Sequence, residues 1–135
     1  MISKLVKILI AMIMPFLGGC DLYYEILKVE NLSDKTVYLN EVTYEYNGNI
    51  YGYPREIKPR GTYHKMANSM PRKEYFTYVS KIQFIFMNSN SDGSCNEEEI
   101  LLDITLNETQ LRALNWTVKY PMSDGDREII DQYID

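Results

Sequence analysis

The chain has 135 residues, of which 45% are hydrophobic and 24% are charged, and this size and composition fit a single globular domain. Its 14 basic and 19 acidic side chains give a formal net charge of -5, which argues against a nucleic-acid binder because that class carries a basic excess. One histidine and two cysteines exclude a multi-histidine metal site and a cysteine-rich zinc or disulfide framework. We therefore predict no cofactor and no nucleic-acid partner.

The first nineteen residues have the pattern of a secretory signal peptide. Lys4 and Lys7 precede the uncharged, mostly apolar run from residue 8 to residue 17. That run is about half of the ~20 residues that a transmembrane helix needs. It has no polar face recurring at helical period, which argues against an N-terminal helix packed on the domain. We predict that residues 1–19 are cleaved. Their loss removes two lysines and no acid, so the formal net charge changes from -5 to -7.

The end of this segment, Leu17, Gly18, Gly19 and Cys20, resembles the lipobox of bacterial lipoproteins. The resemblance implies that the Cys20 thiol receives diacylglycerol and that the mature protein, with palmitate-type acyl chains, begins there. Two or more acyl chains anchor a protein stably, whereas one gives marginal binding. We expect a lipoprotein of the bacterial cell envelope, anchored to the outer membrane on its periplasmic or surface face. A secreted protein with a disulfide between Cys20 and Cys95 is the alternative.

The remainder, residues 20–135, predicts one all-β domain: an immunoglobulin-like antiparallel sandwich with one short helix before the last strand. Short runs of β-branched and aromatic residues recur with polar turn residues between them, which is typical of such sandwiches. The predicted strands are 23–30, 36–46, 49–53, 76–87, 100–106 and 116–120. Residues 126–134 fit either a short terminal helix or a frayed end.

Two local signals refine the second strand and the hairpin after it. The apolar residues of 36–46 change parity part-way along, which predicts a bulge or kink at Asn40 and Glu41. Asn47 and Gly48 lie between two strand-like runs and predict a hairpin with a type I′ turn, in which both central residues have positive φ.

The short helix has a recognisable beginning. Asn107, followed three residues later by Gln110, predicts a helix cap, and Leu111 and Leu114 are spaced to form one buried side of that helix. Trp116 begins the last strand beside this helix. We expect its side chain to belong to the core.

Three groups of turn and core residues form a further pattern: Val29, Asn31 and Ser33; Ile57, Pro59 and Gly61; and the segment 111–121, with its Leu-Asn-Trp triplet and Tyr-Pro pair. This pattern resembles that of small uncharacterised lipoproteins of Bacteroidales type. The resemblance implies a β-sandwich on the cell envelope and brings no catalytic residues with it.

Residues suited to hydrolysis are few. His64 is the single imidazole and lies between Tyr63 and Lys65 in a basic segment, and the chain contains no Gly-x-Ser-x-Gly elbow. The three acids Glu97 to Glu99 provide paired carboxylates, which glycoside hydrolysis requires, but adjacent acids are usually a solvated face. We predict that the protein is not an enzyme. The alternative is a small envelope hydrolase that uses Glu97–Glu99 or His64.

The loop from residue 88 to residue 99 has oxygen ligands at a spacing similar to that of a calcium-binding EF-hand loop. Asparagine replaces the first aspartate, Cys95 occupies the apolar eighth position, and the flanking segments are strand-like. We therefore predict a polar hairpin loop without a metal. The weak calcium candidates are Asn88, Asn90, Asp92, Asn96 and Glu99.

Tyrosine is over-represented, with 12 in the chain, and Tyr44, Tyr46, Tyr51 and Tyr53 surround the Asn47–Gly48 turn. Tyrosine gives a binding surface large contact area at small cost in rotamer entropy. These four residues are a candidate ligand-binding surface for a protein or polysaccharide partner; cross-strand aromatic pairing is the alternative. We expect a lipid-anchored, non-enzymatic binding or structural accessory module.

One segment reverses the acidic balance of the domain. Residues 55–73 contain six lysines and arginines and one acid. Such a segment is either a solvated loop or a surface that contacts anionic headgroups or envelope phosphates.

Overall fold

The computed structural model describes residues 22–89 and 99–134. Eight strands and three helices occur in this part of the chain. In chain order they are β1 (Tyr23–Asn31), β2 (Val37–Glu45), β3 (Gly48–Tyr51), β4 (Arg55–Ile57), β5 (Thr62–Asn68), α1 (Arg72–Tyr78), β6 (Val79–Met87), β7 (Ile100–Asn107), α2 (Glu108–Ala113), β8 (Thr117–Tyr120) and α3 (Asp124–Gln132). None of these helices is long and apolar enough to cross a membrane.

The strands form two sheets. The three-stranded sheet has the order β5-β1-β8, and the five-stranded sheet has the order β3-β2-β6-β7, with β4 beside β3 on the same edge of β2. All described pairs are antiparallel except β1 and β8, which run parallel. The predicted all-β sandwich with a short helix before the last strand is confirmed.

The core lies between the two sheets and under the helices. Alternating residues of the central strands face inward, as the two-residue period of a strand requires, whereas all four residues of β3 are exposed. Phe84 and Phe86 of β6 are fully buried, and Tyr120 of β8 stacks on Phe86 with ring centroids 5.4 Å apart. The buried core residues are Ile26, Leu27, Val29, Val37, Leu39, Ile57, Phe76, Val79, Ile82, Phe84, Phe86, Leu106, Leu111, Leu114, Val118 and Ile130.

The Val-x-Asn-x-Ser turn is held by a buried asparagine side chain. Asn31 is fully buried, and its Nδ2 donates to the carbonyl oxygens of Lys35 at 2.7 Å and Ile57 at 3.0 Å. Its Oδ1 accepts from the backbone N–H of Ser33 at 3.0 Å. A buried amide is stable only when its polar atoms are paired, and here that requirement ties the turn after β1 to the end of β4.

The prediction of one strand over 76–87 is wrong at its beginning. Residues 72–78 form helix α1, and the strand begins at Val79. Pro71 has φ -60°, which suits a helix start, and its carbonyl accepts from the N–H of Tyr75 at 2.9 Å. Phe76 is buried, as its apolar side chain indicated, but it belongs to the helix. The prediction therefore placed the beginning of the strand at Phe76, three residues too early.

The bulge predicted at Asn40 and Glu41 is also wrong. The pairing of β2 with β6 is continuous through both residues, and the irregularity lies between Tyr44 and Glu45. The apolar parity changes because Glu41 occupies an inward-facing position in line with Leu39 and is itself buried. The change in pattern indicates a buried charge and not an extra residue.

The hairpin between β2 and β3 is present, but its turn differs from the predicted type I′ turn. Glu45 pairs with Gly48, so Tyr46 and Asn47 are the two central residues. Of the Asn47–Gly48 pair, only Gly48 has a positive φ, 135°. Glycine is needed here because a side chain strains this conformation.

Helices α2 and α3 both have a capped N-terminus. The Asn107 side chain accepts from the N–H of Gln110 at 2.8 Å, and the Gln110 side chain accepts from the N–H of Asn107 at 2.9 Å. This reciprocal capping box begins α2 as predicted. Residues 124–132 are helical, with Ser123 Oγ accepting from the N–H of Asp126 at 3.1 Å.

Candidate functional site

The tyrosine hairpin, defined as Tyr44, Tyr46, Tyr51 and Tyr53, lies on and beside strands β2 and β3. Tyr51 pairs with Val42, two residues from Tyr44, so Tyr44 and Tyr51 are diagonal neighbours on the outer face of the five-stranded sheet. Tyr46 lies in the turn, and Tyr53 follows β3 and is 89% exposed. Tyr46 and Tyr51 are also exposed. Three of the four rings therefore present most of their surface to solvent.

Tyr44 is held in place by its neighbours on the sheet. Its hydroxyl donates to Gln83 Oε1 at 3.0 Å, and the Lys81 ammonium nitrogen lies 4.9 Å from the centre of its ring. Gln83 Nε2 in turn donates to Asp103 Oδ1 at 2.8 Å. A hydrogen-bonded row of phenol, amide and carboxylate therefore crosses β2, β6 and β7 beside the exposed tyrosines. Aromatic rings next to amide and carboxylate groups suit a sugar or a polar protein surface.

A buried ion pair lies between the two sheets, at the position where the sequence predicted a bulge. Glu41 of β2 and Lys65 of β5 form an ion pair with Oε2 and Nζ 2.8 Å apart, and both side chains are mostly buried. The other carboxylate oxygen, Oε1, is buried and has no hydrogen-bond partner in the described part of the chain. The parity change at Glu41 was the sequence signal for this pair.

The charges and burial of this pair change the proton affinities around it. Burial lowers the pKa of Lys65, but the charge of Glu41 and its hydrogen bond outweigh burial and raise that pKa above its ordinary value. Burial, reinforced by Glu41, raises the pKa of Tyr63. Burial also raises the pKa of Tyr75, more than the Lys65 charge and a hydrogen bond with Thr43 lower it. All three groups are held in their protonated forms.

His64 lies on the surface of the three-stranded sheet. Its Nδ1 is 2.6 Å from Glu25 Oε1, and both side chains are at least one-third exposed. Among the described residues, Glu25 is its side-chain partner, and no described serine hydroxyl bonds to it. Glu99 lies outside the strands, immediately before β7 of the five-stranded sheet. The structure thus places His64 on the three-stranded sheet and Glu99 at the start of a strand of the five-stranded sheet, while Glu97 and Glu98 lie outside the described residues.

Only the ends of the loop with EF-hand-like spacing are described. The N–H of Asn88 donates to the carbonyl oxygen of Glu99 at 2.8 Å, and the Ser89 hydroxyl donates to the Glu99 carboxylate. The other candidate ligands, Asn90, Asp92 and Asn96, lie outside the described residues, as does Cys95. Within 22–89 and 99–134, no three histidine, cysteine, aspartate or glutamate side chains are placed to hold a metal ion.

The basic segment is divided among different environments. Lys65 is paired with Glu41. Arg72 Nε donates to the carbonyl oxygen of Ile26 at 2.8 Å, and its guanidinium lies 4.3 Å from the centre of the Trp116 ring. These two cations are therefore structural, and the segment is not one continuous basic patch.

No family model, no curated protein and no solved structure matches this chain. The functional interpretation therefore depends on the residues and contacts of the chain itself.

Proposed function

We propose that the protein is a non-enzymatic binding or structural accessory module of the bacterial cell envelope, anchored by lipid at Cys20. The anchor is supported by the Leu17-Gly18-Gly19-Cys20 sequence, which follows a short uncharged segment with lysines before it. The outer membrane, on its periplasmic or surface face, is the proposed location.

The tyrosine hairpin is the proposed partner surface. The observation that carries this assignment is the exposure of Tyr53, Tyr51 and Tyr46 on one hairpin. Rings of this size leave a large apolar surface in contact with water, and a partner that covers them gains free energy from its burial. The partner is a protein or a polysaccharide of the envelope. The row through Tyr44, Gln83 and Asp103 supplies polar groups that can orient it.

Metabolic labelling tests the anchor. Wild type grown with a fatty-acid analogue should incorporate label and sediment with membranes. Cys20→Ala should incorporate none and leave the membrane fraction, whereas Cys95→Ala should label like wild type. Equal labelling of Cys20→Ala and wild type would refute the anchor.

Site-specific photo-crosslinking tests the partner surface in cells that carry the full chain. A benzoylphenylalanine placed at position 51 or 53 should give the same adduct after illumination. Position 24, a tyrosine site on the other sheet, is the matched control and should not give it. An adduct whose mass falls on glycosidase treatment identifies a polysaccharide, and an adduct that glycosidase leaves unchanged and that yields peptides of a second protein identifies a protein partner. Identical products at all three positions, or none at 51 and 53, would exclude the hairpin as the binding surface.

A further inference from the structure

The chain between the proposed lipid and the fold is very short. Strand β1 begins at Tyr23, three residues after Cys20. An extended chain covers at most ~3.6 Å per residue, so the Cα atoms of Cys20 and Tyr23 are at most about 11 Å apart. A lipid on Cys20 therefore keeps the end of the sandwich that contains Tyr23 close to the membrane surface.

Other elements meet at this same end, which we call the anchor end. Tyr23 pairs with Asn68 at the end of β5, and the N–H of Ser69 donates to the carbonyl oxygen of Leu22 at 2.6 Å. The turn between β2 and β3 is also here, because the N–H of Tyr46 donates to the carbonyl oxygen of Tyr78 at 3.2 Å. An open pocket of about 380 Å³ joins the two sheets at this end, and its lining includes Glu45, Asn68, Met70, Tyr75 and Tyr78.

The last described residues belong to the anchor end as well. Asn107, at the end of β7, donates from Nδ2 to the carbonyl oxygen of Tyr133 at 3.4 Å. Ile134 lines a second open pocket together with Ser80 and Lys81, at the beginning of β6. The end of α3 is therefore beside the ends of β6 and β7.

Exposed apolar side chains are more numerous at the anchor end than at the opposite end, while Ile50, Tyr51, Tyr53 and Met66 are exposed between the two ends. Five large side chains at the anchor end are each more than half exposed, and Tyr133 is 42% exposed. At the opposite end, the described residues include only two exposed large apolar side chains, Leu32 at 41% and Leu101 at 42%. Clustered apolar exposure marks a contact surface, and tyrosine is enriched where a protein meets the membrane–water interface. The five side chains are Leu22, Tyr23, Tyr46, Tyr78 and Ile134.

The charged residues at the anchor end do not form a basic patch that would bind anionic lipid headgroups. Acids and bases both occur there: Glu45 ends β2, Lys73 and Glu74 lie in the first turn of α1, and Lys81 is near the beginning of β6. Lys58 lies at the opposite end, where its carbonyl oxygen accepts from the side chain of Asn31, the last residue of β1. The contact that the anchor end can make is therefore aromatic and apolar, and it does not require anionic lipid.

We propose that the anchor end lies against the bilayer surface, with Tyr23, Tyr46 and Tyr78 in the headgroup layer. This inference rests on the proposed lipid anchor. Strand β1 has nine residues and is therefore about 26 Å long at ~3.3 Å per residue, which places the opposite end well away from the membrane. This orientation assigns Tyr46, in the turn of the tyrosine hairpin, to the lipid, and it narrows the exposed part of the proposed partner surface to Tyr51 and Tyr53, which lie further along the sheet.

Depth-dependent quenching tests the orientation. The lipidated protein, in a Cys95→Ser background, receives a bimane label at Tyr46→Cys or, as the matched control, at Leu32→Cys. Both positions are exposed, so neither change should disturb the fold. Each variant is reconstituted into phosphatidylcholine vesicles that contain a lipid with a doxyl group near its headgroup. We expect quenching at position 46 to exceed quenching at position 32 several-fold, and to change little when 30% phosphatidylglycerol is added.

Vesicle flotation separates the two proposals. A protein that floats but is quenched equally, or more strongly at position 32, overturns the proposed orientation and leaves the anchor intact. A strict dependence on phosphatidylglycerol also overturns it, because the contact would then be electrostatic. A wild-type protein that fails to float overturns the anchor and the orientation with it.

Discussion

Glu41 and Lys65 join the two sheets of the sandwich through one ion pair, with Oε2 and Nζ 2.8 Å apart. Glu41 is in the second strand of the five-stranded sheet, and Lys65 is in an edge strand of the three-stranded sheet. The other two ion pairs in the described ranges lie within one sheet or one helix and are more exposed. This pair is therefore the described charge contact on which the packing of one sheet against the other depends.

Removing one partner of this pair should destabilise the fold strongly. Lys65→Met leaves the Glu41 carboxylate buried without its counter-charge, and such a change costs about 3 to 5 kcal/mol. The double variant Glu41→Leu with Lys65→Met removes both charges and should recover most of that loss. Urea unfolding followed by circular dichroism measures both free energies. A double variant less stable than either single variant would show that packing, and not charge, dominates here.

Stability should fall at alkaline pH. The pKa values of Lys65, Tyr63 and Tyr75 are all raised in the folded state, so the folded state holds these protons more tightly than the unfolded state. The stabilisation they provide is complete below their ordinary values of 10.5 for lysine and 10.0 for tyrosine, and it is lost as the pH rises through the raised folded values. Free energies of unfolding measured between about pH 8 and 11 should decrease toward the upper limit.

Phenylalanine variants identify the tyrosines that contribute to this alkaline loss. Tyr75→Phe should make the decrease with pH shallower, because it removes a titrating hydroxyl. Tyr53→Phe is the matched control, since that ring is 89% exposed, and its pH profile should follow that of wild type. If the two variants changed the slope equally, the buried groups around Glu41, namely Lys65, Tyr63 and Tyr75, would not be its source.

Trp116 should contribute to stability and not to partner binding. Its partly buried ring packs 5.6 Å from Phe76 and lies under the guanidinium of Arg72. Trp116→Ala should cost about 3 kcal/mol, the lower end of the range for deleting a large aromatic from a core. Tyr53→Ala, at an exposed site, should change stability by less than about 0.5 kcal/mol. A Trp116→Ala variant of wild-type stability that no longer forms the hairpin photo-adduct would assign the ring to binding instead.

Calcium should not stabilise the protein. The hydrogen bond from the N–H of Asn88 to the carbonyl oxygen of Glu99 fixes the loop ends at strand separation, and the Ser89 hydroxyl already uses the Glu99 carboxylate. A site with a dissociation constant of about 0.1 to 1 mM would add roughly 0.7 to 1.8 kcal/mol at about 2 mM calcium. That would raise the melting temperature by several degrees. We expect no rise; one specific to calcium and abolished by Asp92→Ala and by Glu99→Gln would establish a site.

The elements of this fold that local sequence determines are those whose signals span a few residues. Alternation of apolar and polar residues marks a strand whichever partner it finds, and so most strands were predictable. Asn107 and Gln110 specify a helix start because both halves of the capping box lie within four consecutive residues. The hairpin was predictable for the same reason, although the strand register decided that Tyr46 and Asn47 form its centre.

Tertiary structure alone decided which distant residues meet. The parallel pairing of β1 with β8, the pairing of Glu41 with Lys65 and the gathering of Leu22, Tyr46 and Ile134 at one end all join segments far apart in the chain. Periodicity states which residues share a face but not which strand lies opposite, because packing between the sheets sets that choice. Phe76 shows the same limit: its apolar character favours burial in a strand or a helix alike, and in the folded chain it is buried from helix α1, which begins after Pro71.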